Sequence, residues 1–285
     1  MLTEKCAHFL SCPVDDVPME YEGTAVRCVN GHSFDISREG YVNLMPRRKK
    51  LHETIGDNKE MLAAREHFLE AGHYDTLVRE INRLIKNNLT KPRRDTCALE
   101  VGSGTGYYLR KVMQKLSQPD ICYFGSDISK EATQFSAKQN PDATFLVADT
   151  HEKIPIKSNS VQLLLDIFSP RNKAEFQRLL ADNGFLLIVI PGETHLKEII
   201  PELGLIGYEE EKSAQIKNDY QNVLTLLKNT ALEYPITLTA ESLRDLVKMG
   251  PNHWRFSADM NKKIQQIAPV EVTASFEIFL YRNNL

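Results

Sequence analysis

Glu100, Gly102, Gly104 and Gly106 fall on alternate positions in Ala98-Leu99-Glu100-Val101-Gly102-Ser103-Gly104-Thr105-Gly106-Tyr107. Glycine lets a backbone turn through positive φ and come close to a ligand. A dinucleotide loop wants its third glycine one place later, where this chain has Tyr107. An acid before the loop also suits a cation better than a pyrophosphate. S-adenosylmethionine carries an ammonium and a sulfonium and no phosphate, so it fits where NAD does not. Asp127 follows the loop by ~20 residues, the interval that lets a carboxylate bond ribose hydroxyls. Asp149, in Ala148-Asp149-Thr150, ends the next strand, where adenine would lie. It can accept from the adenine amino group, and it can equally be a turn aspartate. Asp166, in Leu165-Asp166-Ile167-Phe168-Ser169-Pro170, ends the fourth strand. It is the candidate general base, with a turn or capping acid as the alternative.

A second set of residues suits a metal. Cys12-Pro13-Val14-Asp15 and Cys28-Val29-Asn30-Gly31-His32 are spaced like two knuckles of a zinc ribbon. Zinc takes four tetrahedral sulfur, nitrogen or oxygen ligands. Cys28 and His32 make one full knuckle. Asp15 stands where the first would carry a second cysteine, and Cys6 or His8 can substitute if the N-terminus folds back. A metal-free β domain is the alternative. Residues 36–51 hold Arg38, Arg47, Arg48, Lys49 and Lys50 against Glu39, a local net charge of +4. Such a run suits RNA phosphates, and Tyr41 beside it can stack on an unpaired base; a solvated linker is the alternative. Trp254 and His73 read as core or interface residues, with packing favoured over base stacking for the tryptophan.

The elements that must position these groups follow from periodicity. Residues 1–45 contain three of the five cysteines and short β-like pieces. Residues 46–94 hold the basic run and two helices, predicted near 57–71 and 75–89. From residue 95 to 285 strands and helices alternate. Strands are predicted at 97–101, 121–126, 143–148, 161–167 and 185–190. Helices are predicted at 107–116, from Ser129 to about 138, and at 173–181 with a stop at Asn183-Gly184. This alternation implies βαβ units and a mainly parallel α/β sheet. Strands near 222–239 and 272–281, flanking a helix at 240–248, would add an antiparallel edge.

The residues together resemble the RlmA-type methyltransferases. The resemblance rests on Cys12-Pro13, Cys28 through His32, Ser33-Phe34-Asp35 and Glu39-Gly40-Tyr41-Val42-Asn43-Leu44. It continues with Ala71-Gly72-His73-Tyr74, Gly102 through Tyr108, Ala174-Glu175, Pro191-Gly192, His195-Leu196 and His253-Trp254-Arg255. It implies a Rossmann-like class I methyltransferase sheet with a small N-terminal zinc-ribbon-like domain. It implies transfer of a methyl group from S-adenosylmethionine to guanine N1 in a 23S rRNA hairpin loop, and a homodimer. By position, Gly104, Thr105, Tyr74 and His195 match donor-contacting residues. Cys12, Cys28 and His32 match zinc ligands; the remaining family ligand is a cysteine, and Asp15 holds its place. Relatives modify either of two neighbouring guanines, and these motifs do not separate them.

Composition sets the outer limits. The chain has 285 residues, 42% hydrophobic and 26% charged, with a net charge of -3. That excludes collagen-like, disordered and disulfide-scaffold classes. No apolar run reaches the ~18 residues of a membrane span. Five cysteines without an export signal point to a reducing compartment, so a cytoplasmic location is expected. Two other functions stay open: a small-molecule methyltransferase, and a non-catalytic RNA-binding or ribosome-assembly protein. The first leaves the basic run and cysteine domain unexplained. The intact loop and its acids oppose the second.

Overall fold

The computed structural model describes residues 2–45, 56–89, 96–118, 120–207 and 211–284. The basic run at 47–50 and part of the expected linker lie outside the described residues.

The N-terminal part holds α1 (Glu4–Ala7) and the strands β1 (Met19–Tyr21), β2 (Ala25–Cys28) and β3 (Ser33–Asp35). These three strands pair as an antiparallel sheet. β4 (Tyr41–Asn43) leaves that sheet and pairs in parallel with β7 (Thr144–Val147). The boundary expected at residue 45 therefore follows a strand of the large sheet. Leu10, Cys12, Val26 and Cys28 share one apolar cluster with Leu99, Phe124 and Leu186. The small unit is packed onto the large one and does not stand apart.

The helices α2 (Lys59–Glu70) and α3 (Asp75–Asn88) come next. Then follow β5 (Thr96–Val101), α4 (Tyr107–Leu116), β6 (Ile121–Asp127), α5 (Lys130–Gln139), β7, β8 (Val161–Ile167), α6 (Lys173–Leu179) and β9 (Leu180–Pro191). The tail adds α7 (Ile200–Leu203), α8 (Glu211–Tyr220), β10 (Thr225–Leu238) and α9 (Ala240–Lys248). A 3-10 turn at Pro251–Arg255, α10 (Ala258–Ile267) and β11 (Val270–Arg282) close the chain. The large sheet has the order β10-β11-β9-β8-β5-β6-β7-β4. From β4 to β9 it is parallel; β11 and β10 are antiparallel. The Rossmann-like sheet with an antiparallel edge is thus the fold.

β5 and β8 are neighbours, and the chain winds away from β5 in one direction and from β8 in the other. The crevice at the carboxyl ends of such a pair is where doubly wound sheets bind ligands. The interior strands are apolar on both sides because helices cover both faces.

Local chemistry explains the element ends. Ser129 caps α5 by accepting from the Ala132 amide at 3.1 Å. α4 starts at a left-handed glycine, Gly106 with φ 73°, which offers no side-chain cap. Glu100 supplies one from β5: its Oε2 accepts the Leu109 amide at 3.1 Å.

Two expectations are corrected. α6 does not reach 181 and is not stopped by Asn183-Gly184; it ends at Leu179, and the chain enters β9 at once. Asn183, at φ 58°, sits inside β9, where the register against β8 shifts. Asn283 donates to the Leu180 and Ala181 carbonyls and fills the break. Cys6 on α1 and Cys122 on β6 are joined by a disulfide. They are therefore not the reduced thiols that an odd count suggests, and Cys6 is no longer a metal-ligand candidate. No described helix is long and apolar enough to cross a membrane.

Candidate active site

A cavity of about 270 Å³ opens at the carboxyl ends of β5, β8 and β9. Its floor is the glycine loop: Gly102, Ser103 and Thr105 line it, with Glu100 behind them. Gly102 and Gly104 have φ of 60° and 52°, so glycine is required at both for the loop to turn. A Cβ on Gly102 would stand 2.4 Å from the Ser169 Cβ, so the loops after β5 and β8 are in contact. The Ser103 and Thr105 hydroxyls are buried without a hydrogen-bond partner. Buried polar atoms of this kind are normally satisfied. A polar ligand on the floor would satisfy them, and the methionine end of S-adenosylmethionine has the groups to do it.

Asp127 ends β6 against the back of the glycine loop and, like Gly104 and Gly106, is not itself a lining residue of the cavity. Its Oδ2 accepts the Gly104 amide at 2.9 Å, and its Oδ1 accepts the Ser129 amide at 2.9 Å. Burial raises its carboxyl above the ordinary range, while the two amides lower it. A carboxylate oxygen takes two partners, so each oxygen keeps capacity for a ribose hydroxyl. Glu100 is fully buried, and burial pushes it up to about 8. One of its oxygens caps α4, so part of its role is structural. Asp149 is buried, and its Oδ1 accepts the His151 amide at 2.9 Å. It shapes the turn after β7 and does not line the cavity.

Sequence spacing gave no sign of Arg65. It is the one arginine or lysine among the described lining residues. Its guanidinium pairs with Asp57 and donates to the Met249 carbonyl at 2.5 Å. Nη1 lies 2.6 Å from where a Cβ on Gly104 would stand. A lone arginine on a helix has no motif, so only the fold reveals it.

Aromatic side chains also line the cavity: Tyr74, Tyr108, Phe168 and His195. Tyr74 Oη and His195 Nε2 are 3.4 Å apart. His195 Nδ1 accepts the Ser275 amide at 3.2 Å, so the neutral ring carries its proton on Nε2. Burial lowers His195 to about 4, and it is neutral at physiological pH. It can therefore donate a hydrogen bond here and cannot serve as a base at that nitrogen.

Asp166, the expected base, is fully buried and does not line the cavity. Its Oδ1 accepts from the Ser169 hydroxyl at 2.6 Å, and Arg171 lies 3.7 Å from Oδ2. It orders the loop after β8. Trp254 is 59% exposed, so of the two readings offered for it, core and interface, the core one is excluded. His73 is half-buried against Phe68, as a packing residue would be.

The second site is the ribbon. Cys12, Asp15, Cys28 and His32 bring one ligand atom each to within 4.8 Å of one another. Cys28 Sγ lies 3.4 Å from His32 Nδ1 and 3.8 Å from Asp15 Oδ2. Cys12 Sγ lies 3.5 Å from His32 Nδ1, and Asp15 Oδ2 lies 3.2 Å from it. Zinc bonds of ~2.0–2.3 Å at tetrahedral angles give edges of roughly 3.3–3.8 Å. The four residues fit zinc, and Asp15 stands at the fourth corner. Hydrogen bonds from Cys12 and then Asn30 hold the Asp15 carboxyl down to about 2. Burial raises the Cys12 thiol to about 11, so metal binding must displace its proton.

Fold and site together define a class I S-adenosylmethionine-dependent methyltransferase with an appended zinc-ribbon domain. The family model for the RlmA N-terminal zinc ribbon matches residues 10–52. A 23S rRNA (guanine(748)-N(1))-methyltransferase of Streptomyces fradiae is 30% identical over 276 residues, covering 96% of each chain. A protein of Micromonospora griseorubida, provisionally named a 23S rRNA (guanine-N(1)-)-methyltransferase, is 33% identical over 96% of this chain and 97% of its own. The chain belongs to this RlmA-type family. Among solved structures, the MccD protein superposes at a TM-score of 0.50 with 14% identity, over 71% of this chain and 96% of that one. The YcgJ protein from Bacillus subtilis does so at 0.50 with 15% identity, over 71% and 97%. These two share the fold of the large sheet.

Proposed function

We propose that this protein methylates N1 of a guanine in a hairpin loop of 23S rRNA, in the cytoplasm. The observation that carries the proposal is one cavity with two unlike sets of lining residues. It combines a polar glycine loop with unsatisfied hydroxyls and aromatic side chains with a neutral histidine. The names of the full-length relatives supply the acceptor.

Bound S-adenosylmethionine supplies the electrophilic methyl group. Asp127 would hold the donor's ribose, and Arg65 would face its methionine carboxylate. Tyr74 and His195 close the space between donor and acceptor. Guanine N1 carries a proton at neutral pH; that proton passes to water as the methyl group takes its place, and the charge left by its departure is shared with O6. His195 Nε2–H is a donor for that oxygen, which favours the deprotonated base without itself taking the proton. N1 lies on the pairing edge, so the guanine must be unpaired or flipped out.

Donor binding tests the floor. A hydrogen bond to a charged group is worth ~1.5–3 kcal/mol. Asp127→Ala should therefore weaken S-adenosylmethionine binding roughly tenfold to a hundredfold by calorimetry. Equal affinity in a variant that melts cooperatively would remove Asp127 from the site.

A further inference from the structure

Six non-glycine residues among those described have positive φ: Asp16, Ser117, Asn159, Phe168, Asn183 and Leu196. Four of these are Asp, Asn or Ser, short polar residues that tolerate this conformation. The other two, Phe168 at 57° and Leu196 at 58°, are bulky, and both line the donor cavity. A left-handed backbone is strained for such residues and persists only where the surroundings enforce it. Strained bulky residues thus occur at this cavity and at no other described place.

Phe168 has a further peculiarity. It is 40% exposed, while its ring neighbours Tyr74, Tyr108 and Phe276 are 3%, 9% and 1% exposed. Those neighbours meet it at 6.4, 6.2 and 5.6 Å between centroids, with interplanar angles of 50°, 63° and 52°. None of these is a parallel stack. The ring is backed by aromatic edges and tilted faces, and it keeps surface open at the cavity. The next residue, Ser169, touches the glycine loop at Gly102 and hydrogen-bonds Asp166, which fixes the loop carrying Phe168. The strained residue therefore sits at the end of β8 beside the donor floor.

We propose that Phe168 is the platform on which the acceptor base stacks once it leaves the RNA. This rests on the reading of the protein as an RNA guanine methyltransferase. A flipped purine has lost its stacking partners, and an aromatic side chain restores one face. Phe168 acts as a positioning residue, with no part in proton transfer.

The test uses the full-length protein with 23S rRNA from cells lacking the modification. It also uses a hairpin carrying 2-aminopurine at the mapped acceptor position. Phe168→Asn removes the ring yet accepts a left-handed backbone; Phe168→Trp keeps an aromatic face. Phe168→Asn should raise KM for rRNA roughly tenfold to a hundredfold, which is ~1.4–2.7 kcal/mol and within the range of base stacking on an aromatic ring. It should also abolish the fluorescence quenching that stacking causes in 2-aminopurine. Phe168→Trp should restore both readouts. Parental KM and quenching in a folded Phe168→Asn would overturn the platform and leave the RNA reading intact. No methylation of rRNA by the parent protein would overturn both.

Discussion

Burial holds the Asp166 carboxyl up from 3.8 to about 7. In the unfolded chain the same group ionises near its ordinary value. Between these limits the folded protein binds more protons than the unfolded one. The neutral acid thus contributes stability that is fully present below 3.8 and is lost as pH rises through about 7. Asp166→Asn keeps an acceptor for the Ser169 hydroxyl and cannot ionise. Its stability relative to the parent should rise with pH across this window by on the order of 1–3 kcal/mol, read from urea unfolding. Parallel pH curves for the two proteins would show that Asp166 is already ionised in the fold. The residue scale is also where spacing told most. Glu100, the three glycines and Asp127 form a run whose order alone points to a methyl donor. Arg65 and Phe168 escaped because their significance is conformational. One depends on what α2 packs against, the other on a φ angle that no residue type announces.

At the scale of elements, the ribbon shows how far local spacing reaches. Two short loops bring Cys12, Asp15, Cys28 and His32 to one point, and each was visible from its knuckle. The choice of Asp15 over Cys6 or His8 was not visible, because Cys6 is taken by a disulfide to β6 and the His8 ring bonds the Lys5 carbonyl outside the cluster. Zinc prefers thiolate to carboxylate when both fit. Asp15→Cys should therefore tighten zinc, seen as slower loss to a chelator and a higher melting temperature in the metal-loaded protein. If the variant holds zinc no more tightly than the parent, Asp15 does not occupy the fourth corner. The buried parallel strands were legible as continuous apolar runs. α8 was not: it buries only Ile216 and Tyr220, so its periodicity is faint. β4 is three residues long, and its pairing with β7 joins positions about a hundred apart, which no local pattern encodes.

At the scale of the whole molecule, the cavity is assembled from distant parts of the chain. Arg65 and Tyr74 come from α2 and the start of α3. The glycine loop follows β5, Phe168 follows β8, and His195 follows β9. Gly250 and Asn252, after α9, complete the wall next to the exposed Trp254. The sheet order makes this convergence possible, since the reversal between β5 and β8 opens the crevice that the helices then line. The fold class was readable from the alternation of strands and helices. Which residues would meet in the crevice was not, because their separations exceed any periodic signal. The central claim concerns one atom of one base. The parent protein is incubated with S-adenosylmethionine labelled in its methyl group and with 23S rRNA from cells lacking the modification. Nuclease digestion and mass spectrometry then identify the labelled nucleoside, and a reverse-transcription stop locates it. The account predicts 1-methylguanosine at a single position in a hairpin loop of 23S rRNA. Label on another atom, or an rRNA that stays unmethylated while the donor binds, would contradict it.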